Sequence, residues 1–235
     1  MTAPILPASS LASLPRAVAA IVFDMDGTLL DTEAVHRVTM QAAADALGHD
    51  LTDAVFQQLV GVHRDVNTQT LLAHFGDDFP IEEFYRDGDA RFEEMWREGI
   101  AFRPGARALL EGLRAAGLPL AVATSTASPF AEQRLERSGI LPLFETVVTR
   151  SDVTRPKPHA EPYLLAAERL GVDPRDCVAV EDSPNGLRAA AAAGMMALLV
   201  PDLIPPTEET EALATQVLPD LAAVGALIER ASQSI

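Results

Sequence analysis

After about residue 104 the chain repeats one pattern, a short apolar run followed by a stretch of helical texture. The runs are "LPLAVAT" (118–124), "TVVT" (146–149), "CVAVED" (177–182) and "MALLV" (196–200). Helical stretches separate them at 104–116, at 128–138, in "AEPYLLAAERLG" and in "NGLRAAAAAG", and a last helix covers 220–231. Strands covered on both faces read as continuous apolar runs, and their alternation with helices predicts an α/β fold with a parallel, doubly wound sheet. One further run, "AVAAIVF" (17–23), stands far upstream of the others. What lies between, such as "TEAVHRVTMQAAADALG" and "IEEFYRDGDARFEEMWREG", has apolar residues at three- and four-residue spacing. Roughly 70 residues are far too many for an ordinary βα connection. The expectation is a core domain of residues 1–31 and 104–235 carrying an α-helical cap domain at 32–103. A chain of 235 residues that is 48% hydrophobic has material enough for such a core.

In parallel α/β sheets ligands bind beyond the carboxyl ends of the strands. The residues at those ends are Asp24 and Asp26 after the first strand and Thr124, Ser125 and Thr126 after the second. Lys157 follows the third, in "TRPKPHAEPY", and Glu181 and Asp182 end the fourth. Taken singly each has a plain reading: a turn rich in hydroxyls, a solvated lysine, acids at a helix N-terminus. Together, at successive strand ends, they read as one site for phosphoryl transfer. Asp24, fixed at the end of a strand, suits a nucleophile that forms an acyl phosphate. Asp26 points to the same side by the period of two, where it can protonate a leaving oxygen and then activate water. Gly27 permits an abrupt turn, and Asp31 is expected to support it. Buried acids need a partner. Asp24 with Asp182 offers the few carboxylates and many waters that Mg²⁺ prefers. Lys157, with the hydroxyl and amide groups of Thr124 and Ser125, would hold the phosphoryl oxygens.

The formal net charge is −16, from 18 basic and 34 acidic residues. It argues against nucleic-acid and anionic-membrane partners, which call for a basic surface. It does not exclude an anionic substrate, because one cation and one lysine reverse the sign locally. Cys177 is the lone cysteine, so no intrachain disulfide forms, and starting a buried strand it should be inert. No apolar run reaches the length of a membrane span. The opening "MTAPILPASSLASLPR" lacks the basic and continuous apolar regions of a signal peptide. A cytoplasmic protein, monomeric or weakly dimeric, is expected.

"DMDGTLLDT" resembles the first motif of the haloacid dehalogenase superfamily. "VATST" resembles its second, hydroxyl-bearing motif, "RPKPHAEPY" its lysine motif and "VAVEDS" its acidic motif. The resemblance runs from about 18 to 230 and implies a Rossmann-like sheet of order 5-4-1-2-3. The helical insert resembles the cap of the branch that holds β-phosphoglucomutases and small-molecule phosphatases. The resemblance makes Asp24 nucleophile and metal ligand, and Asp26 general acid/base with its main-chain carbonyl on Mg²⁺. It puts Thr124, Ser125 and Lys157 on the phosphate, and Asp182 and Glu181 on the metal, the latter directly or through water. A second aspartate at position 26 favours a phosphatase or phosphomutase over dehalogenation.

"DTEAVH" resembles the mutase segment that brings a Thr and a His to the active site, here Thr32 and His36. "LVGVHR" (59–64) resembles the mutase cap loop. Gly61 and Arg64 match it, but Val60 stands in place of a lysine and His63 in place of a serine. The missing lysine favours a Mg²⁺-dependent phosphatase of a small phosphorylated metabolite, a sugar phosphate above all, with a β-phosphoglucomutase-like mutase as the alternative. His63 is read as a loop residue, and His49, His74 and His159 as surface residues. Phe92, Met95 and Trp96 read as packing. Asn185 either supports the lysine or metal loop or caps the next helix.

Overall fold

The computed structural model describes residues 13–60, 64–99 and 101–233. Two compact units emerge, one of Met1–Leu30 with Phe102–Ile235 and one of Asp31–Ala101. In the first, β1 (Ala20–Phe23) is followed after the second unit by α5 (Ala106–Ala115), β2 (Leu120–Ala123) and α6 (Phe130–Arg137). Then come β3 (Thr146–Val148), α7 (Glu161–Leu170), β4 (Cys177–Glu181), α8 (Pro184–Ala192) and β5 (Met196–Leu199). α9 (Glu208–Leu213), β6 (Gln216–Val217) and α10 (Leu221–Gln233) end it. The sheet order is β3-β2-β1-β4-β5-β6, with every pairing parallel. This is the expected 5-4-1-2-3 order with one more edge strand, β6, and with α9 before it. Neither was foreseen, because Gln216–Val217 is two half-buried residues long and shows no period.

β1 lies between β2 and β4, in register Val22 with Ala121 and with Ala179. All four of its residues are buried, as a strand covered on both faces must be. Ala20 and Val22 join Ala121, Ala179 and Ala197 under Tyr163, Ala166 and Leu187 of α7 and α8. Small residues there let the helices sit close to the sheet. The apolar run from 17 exceeds the strand at its start. Ala17 and Ala19 are exposed, although the Ala19 amide still reaches the Asp176 carbonyl at 2.8 Å.

The second unit contains α1 (Thr32–Ala46), α2 (Asp53–Leu59), α3 (Arg64–Phe75) and α4 (Ile81–Glu98). Its core gathers Ala43, Leu51, Phe56, Leu59, Leu71, Phe79 and Phe84. His49 belongs to this packing, with ring centroids 5.0 and 4.9 Å from Phe75 and Phe79, so it is not the surface residue expected. Phe92 and Trp96 are buried, whereas Met95 is exposed and leaves the packing set read from the sequence. Among the described residues no helix is long and apolar enough to cross a membrane.

Candidate active site

β1 delivers Asp24 to the end of the sheet, 7% exposed, with its amide bonded to the Val180 carbonyl of β4 at 3.0 Å. The chain then turns at once. The amides of Leu29 and Leu30 return to the Met25 carbonyl, and the Gly27 amide reaches the Leu30 carbonyl. Gly27 has φ +82, and a Cβ there would run into Asp182 Oδ2. Left-handed backbone and close approach both demand glycine. Main-chain bonds thus hold the turn, and Asp31, at the N-cap of α1, makes no side-chain cap bond.

Lys157 joins the strand ends. Its Nζ lies 2.6 Å from Asp24 Oδ1 and 2.6 Å from Glu181 Oε1. Glu181 is fully buried and saturated. Oε1 also accepts from the Tyr163 hydroxyl at 2.6 Å, while Oε2 accepts from the amides of Asp182 and Ser183 and from the Ser183 hydroxyl. A Cβ at Gly186 would overlap this carboxylate, so the first turn of α8 admits only glycine there. Asp182 accepts from the Thr28 hydroxyl at 3.1 Å.

Ligand atoms of Asp24, Glu181 and Asp182 all lie within 4.8 Å of one another. Ionised together, three carboxylates against one ammonium would leave this buried cluster about two charges negative, which burial opposes. Burial first, then the charges of Glu181 and Asp26, raise the Asp24 carboxyl to about 7 against the pull of Lys157. Burial first, then the charges of Asp24 and Glu181, hold Asp182 well above the usual carboxylate range. Lys157 is held above its ordinary value by Asp24 and Glu181, although burial opposes this. A hard divalent cation fits such a donor set. Asp24 and Asp182 retain lone pairs for it, whereas the Glu181 oxygens are already engaged.

Asp26 faces other partners. Its Oδ1 takes Arg134 Nη1 at 2.8 Å, and its Oδ2 takes the Thr126 hydroxyl at 2.6 Å and the Thr124 hydroxyl at 3.5 Å. Thr124 is buried, and its Oγ1 also accepts the Thr126 amide at 3.0 Å. Ser125, between them, is exposed.

Arg134, Tyr163 and Thr28 escaped the reading of the sequence. Arg134 sits on a polar helix beside other charges and meets Asp26 across 108 positions. Tyr163 lies in "AEPYLL", where an aromatic residue reads as packing. Asn185 does not serve as expected, since its Oδ1 accepts from Arg188 and Ser183 is the cap of α8. His159 is half-buried and accepts the Glu161 amide at 3.1 Å, while His74 is exposed. Burial raises the Cys177 thiol to about 12, which keeps it inert.

The remaining candidates lie in the helical unit. Thr32 is buried and its hydroxyl has no hydrogen-bond partner among the described residues. His36 stacks on Phe92 with centroids 4.1 Å apart. Arg64 bonds Asp89 at 3.1 Å and lies 3.9 Å over the Tyr85 ring. His36, Arg64, Tyr85 and Asp89 line a cavity of about 280 Å³ within this unit. Gly61 and His63 lie outside the described residues.

Residues 18–194 match the family model of the haloacid dehalogenase-like hydrolases. The chain belongs to that family. Hexitol phosphatase A of Escherichia coli (strain K12) is 37% identical to this hydrolase over 181 residues, 76% of this chain and 81% of its own. The phosphorylated carbohydrates phosphatase of Thermotoga maritima is 32% identical over 176 residues, 75% of this chain and 82% of its own. A haloacid dehalogenase family hydrolase of Deinococcus radiodurans R1, solved with bound phosphate and sodium, superposes with a TM-score of 0.80. It is 30% identical to this hydrolase, over 92% of this chain and 96% of that one.

Proposed function

We propose that this hydrolase is a Mg²⁺-dependent phosphoric monoester hydrolase that releases phosphate from a small phosphorylated metabolite, a sugar phosphate above all. The observation that carries the reading is the buried contact of Lys157 with Asp24 at 2.6 Å, beside the acid Asp182. It supports reading Asp24 as the nucleophile, Lys157 as the cation that meets the phosphate, and Asp24 with Asp182 as metal ligands at one end of the sheet. The phosphatases among the relatives support the same substrate class.

Asp24 attacks phosphorus; its carboxylate oxygen bonds to the phosphoryl group as the ester P–O bond breaks, and Asp26 gives its proton to the departing oxygen. A water then attacks the aspartyl-phosphate, Asp26 takes the water's proton, and phosphate leaves with Asp24 restored. Lys157, the Thr124 hydroxyl and the Ser125 amide hold the phosphoryl oxygens. Asp24 and Asp182, with the main-chain carbonyl of Asp26 and Glu181 directly or through water, would hold Mg²⁺, which when bound neutralises phosphoryl charge. We assign substrate choice to the helical unit acting as a cap, through Thr32, His36, Gly61 and Arg64. A cytoplasmic monomer or weak homodimer is the working form.

The test incubates purified protein and Mg²⁺ with a panel of phosphometabolites that includes β-glucose 1-phosphate, following free phosphate and sugar-phosphate isomers together. Free phosphate should dominate, and Asp24→Asn should lower turnover by at least about 10³-fold while the circular dichroism spectrum is kept. Isomer forming ahead of phosphate would make the chain a mutase. Turnover retained in Asp24→Asn would end the covalent mechanism.

A further inference from the structure

The two aspartates at the end of β1 are drawn to different cations. Asp24 goes to Lys157 and Asp26 to Arg134 of α6. The Asp26–Arg134 pair is mostly shielded, with side chains 25% and 15% exposed. A hydroxyl braces it: Arg134 Nη1 lies 3.3 Å from the Thr126 hydroxyl, which donates to Asp26 Oδ2 at 2.6 Å. Guanidinium, hydroxyl and carboxylate form a triangle that engages both Asp26 oxygens.

We propose that Arg134, acting with Thr126, is a positioning residue that holds the Asp26 carboxylate where it serves the leaving oxygen and the attacking water. The proposal rests on the role given to Asp26 above. A short side chain on a turn has few restraints of its own, and a proton donor misplaced by about 1 Å loses much of its effect. The triangle supplies that restraint from a second element and keeps Asp26 off the nucleophile. A salt bridge that merely ties α6 to the β1 turn would make a different prediction: its loss would lower stability and affect all substrates alike.

Two phosphate esters of similar shape separate these readings. The p-nitrophenolate of p-nitrophenyl phosphate leaves without a proton, whereas the alkoxide of benzyl phosphate needs one. Wild type, Arg134→Leu, Arg134→Lys and Thr126→Val are assayed with Mg²⁺ on both esters, with melting curves to select folded protein. Because kcat/KM runs through release of the leaving group, Arg134→Leu should lower it about 10- to 100-fold for benzyl phosphate and less than about threefold for p-nitrophenyl phosphate. Thr126→Val should show the same asymmetry more weakly, and Arg134→Lys should restore part of the loss. Equal losses of kcat/KM on both esters, or none, overturn the proposal. So does a wild type that hydrolyses p-nitrophenyl phosphate but not benzyl phosphate, since there is then no acid to position. A wild type that hydrolyses neither ester nor any phosphometabolite refutes the phosphatase reading instead, which keeps the two failures apart.

Discussion

Glu181 shows how many neighbours one buried side chain organises around itself. It is fully buried, yet five donors surround its carboxylate, among them Lys157 and Tyr163. Tyr163→Phe takes one of them away and leaves volume unchanged. Loss of a donor to a buried charged acceptor should lower stability by about 1–3 kcal/mol in denaturant titrations, with kcat reduced as Lys157 loosens. The neighbouring acids make stability depend on pH. The Asp24 carboxyl, raised from 3.8 to about 7, holds its proton more tightly in the folded than in the unfolded chain. The folded state therefore loses relative stability as pH rises from about 4 to 7. A bound divalent cation offsets the charge that appears, so the increase in Tm on adding Mg²⁺ should be larger at pH 8 than at pH 5. Equal increases would mean that these acids do not take the ion. The sequence announced Asp24, Asp26 and Asp182 because each closes an apolar run or lies just past one, and Lys157 because it stands in the connection that follows the third run. It concealed Arg134, since nothing local distinguishes it from Arg137 three positions on.

Elements were legible where burial on two faces made them so. β2, β4 and β5 fall inside the apolar runs that suggested them, each trimmed by a residue or two at the ends where pairing stops. β6 and α9 were not legible, because a two-residue edge strand owes its existence to Leu198 and Leu199 beside it rather than to its own pattern. The N-terminus of α8 has a second duty. Ser183 accepts the Gly186 amide at 3.1 Å as helix cap and donates to Glu181 Oε2 at 3.1 Å. Ser183→Ala should therefore cost about 1 kcal/mol of stability through the cap. It should also lower kcat, whereas a serine that only caps would leave kcat unchanged.

At the scale of the molecule, charge and connectivity matter most. A net charge of −16 repels a dianionic phosphate ester from all but the lysine-bearing end of the sheet. Raising salt from 20 to 150 mM at fixed free Mg²⁺ shortens the screening length to about 8 Å, and kcat/KM should rise by about twofold. A fall would mean that local attraction at the site outweighs the repulsion of the whole. The insertion was legible from length alone, while the substrate was not, because the motifs of the helical insert carry no readable code for one. The sheet order carries a further consequence. β1 is made first but has β2 and β4 as neighbours, and Asp24 meets Lys157 across 133 positions. Contacts so distant in the chain form late and slow the search for the native state. During synthesis the "AIVF" segment must wait, with both edges open until β2 has emerged and one still open until residues beyond 177 have. A nascent chain stalled before that point would have no activity and a strong tendency to associate, so the first enzymatic turnover marks the moment when folding is nearly done.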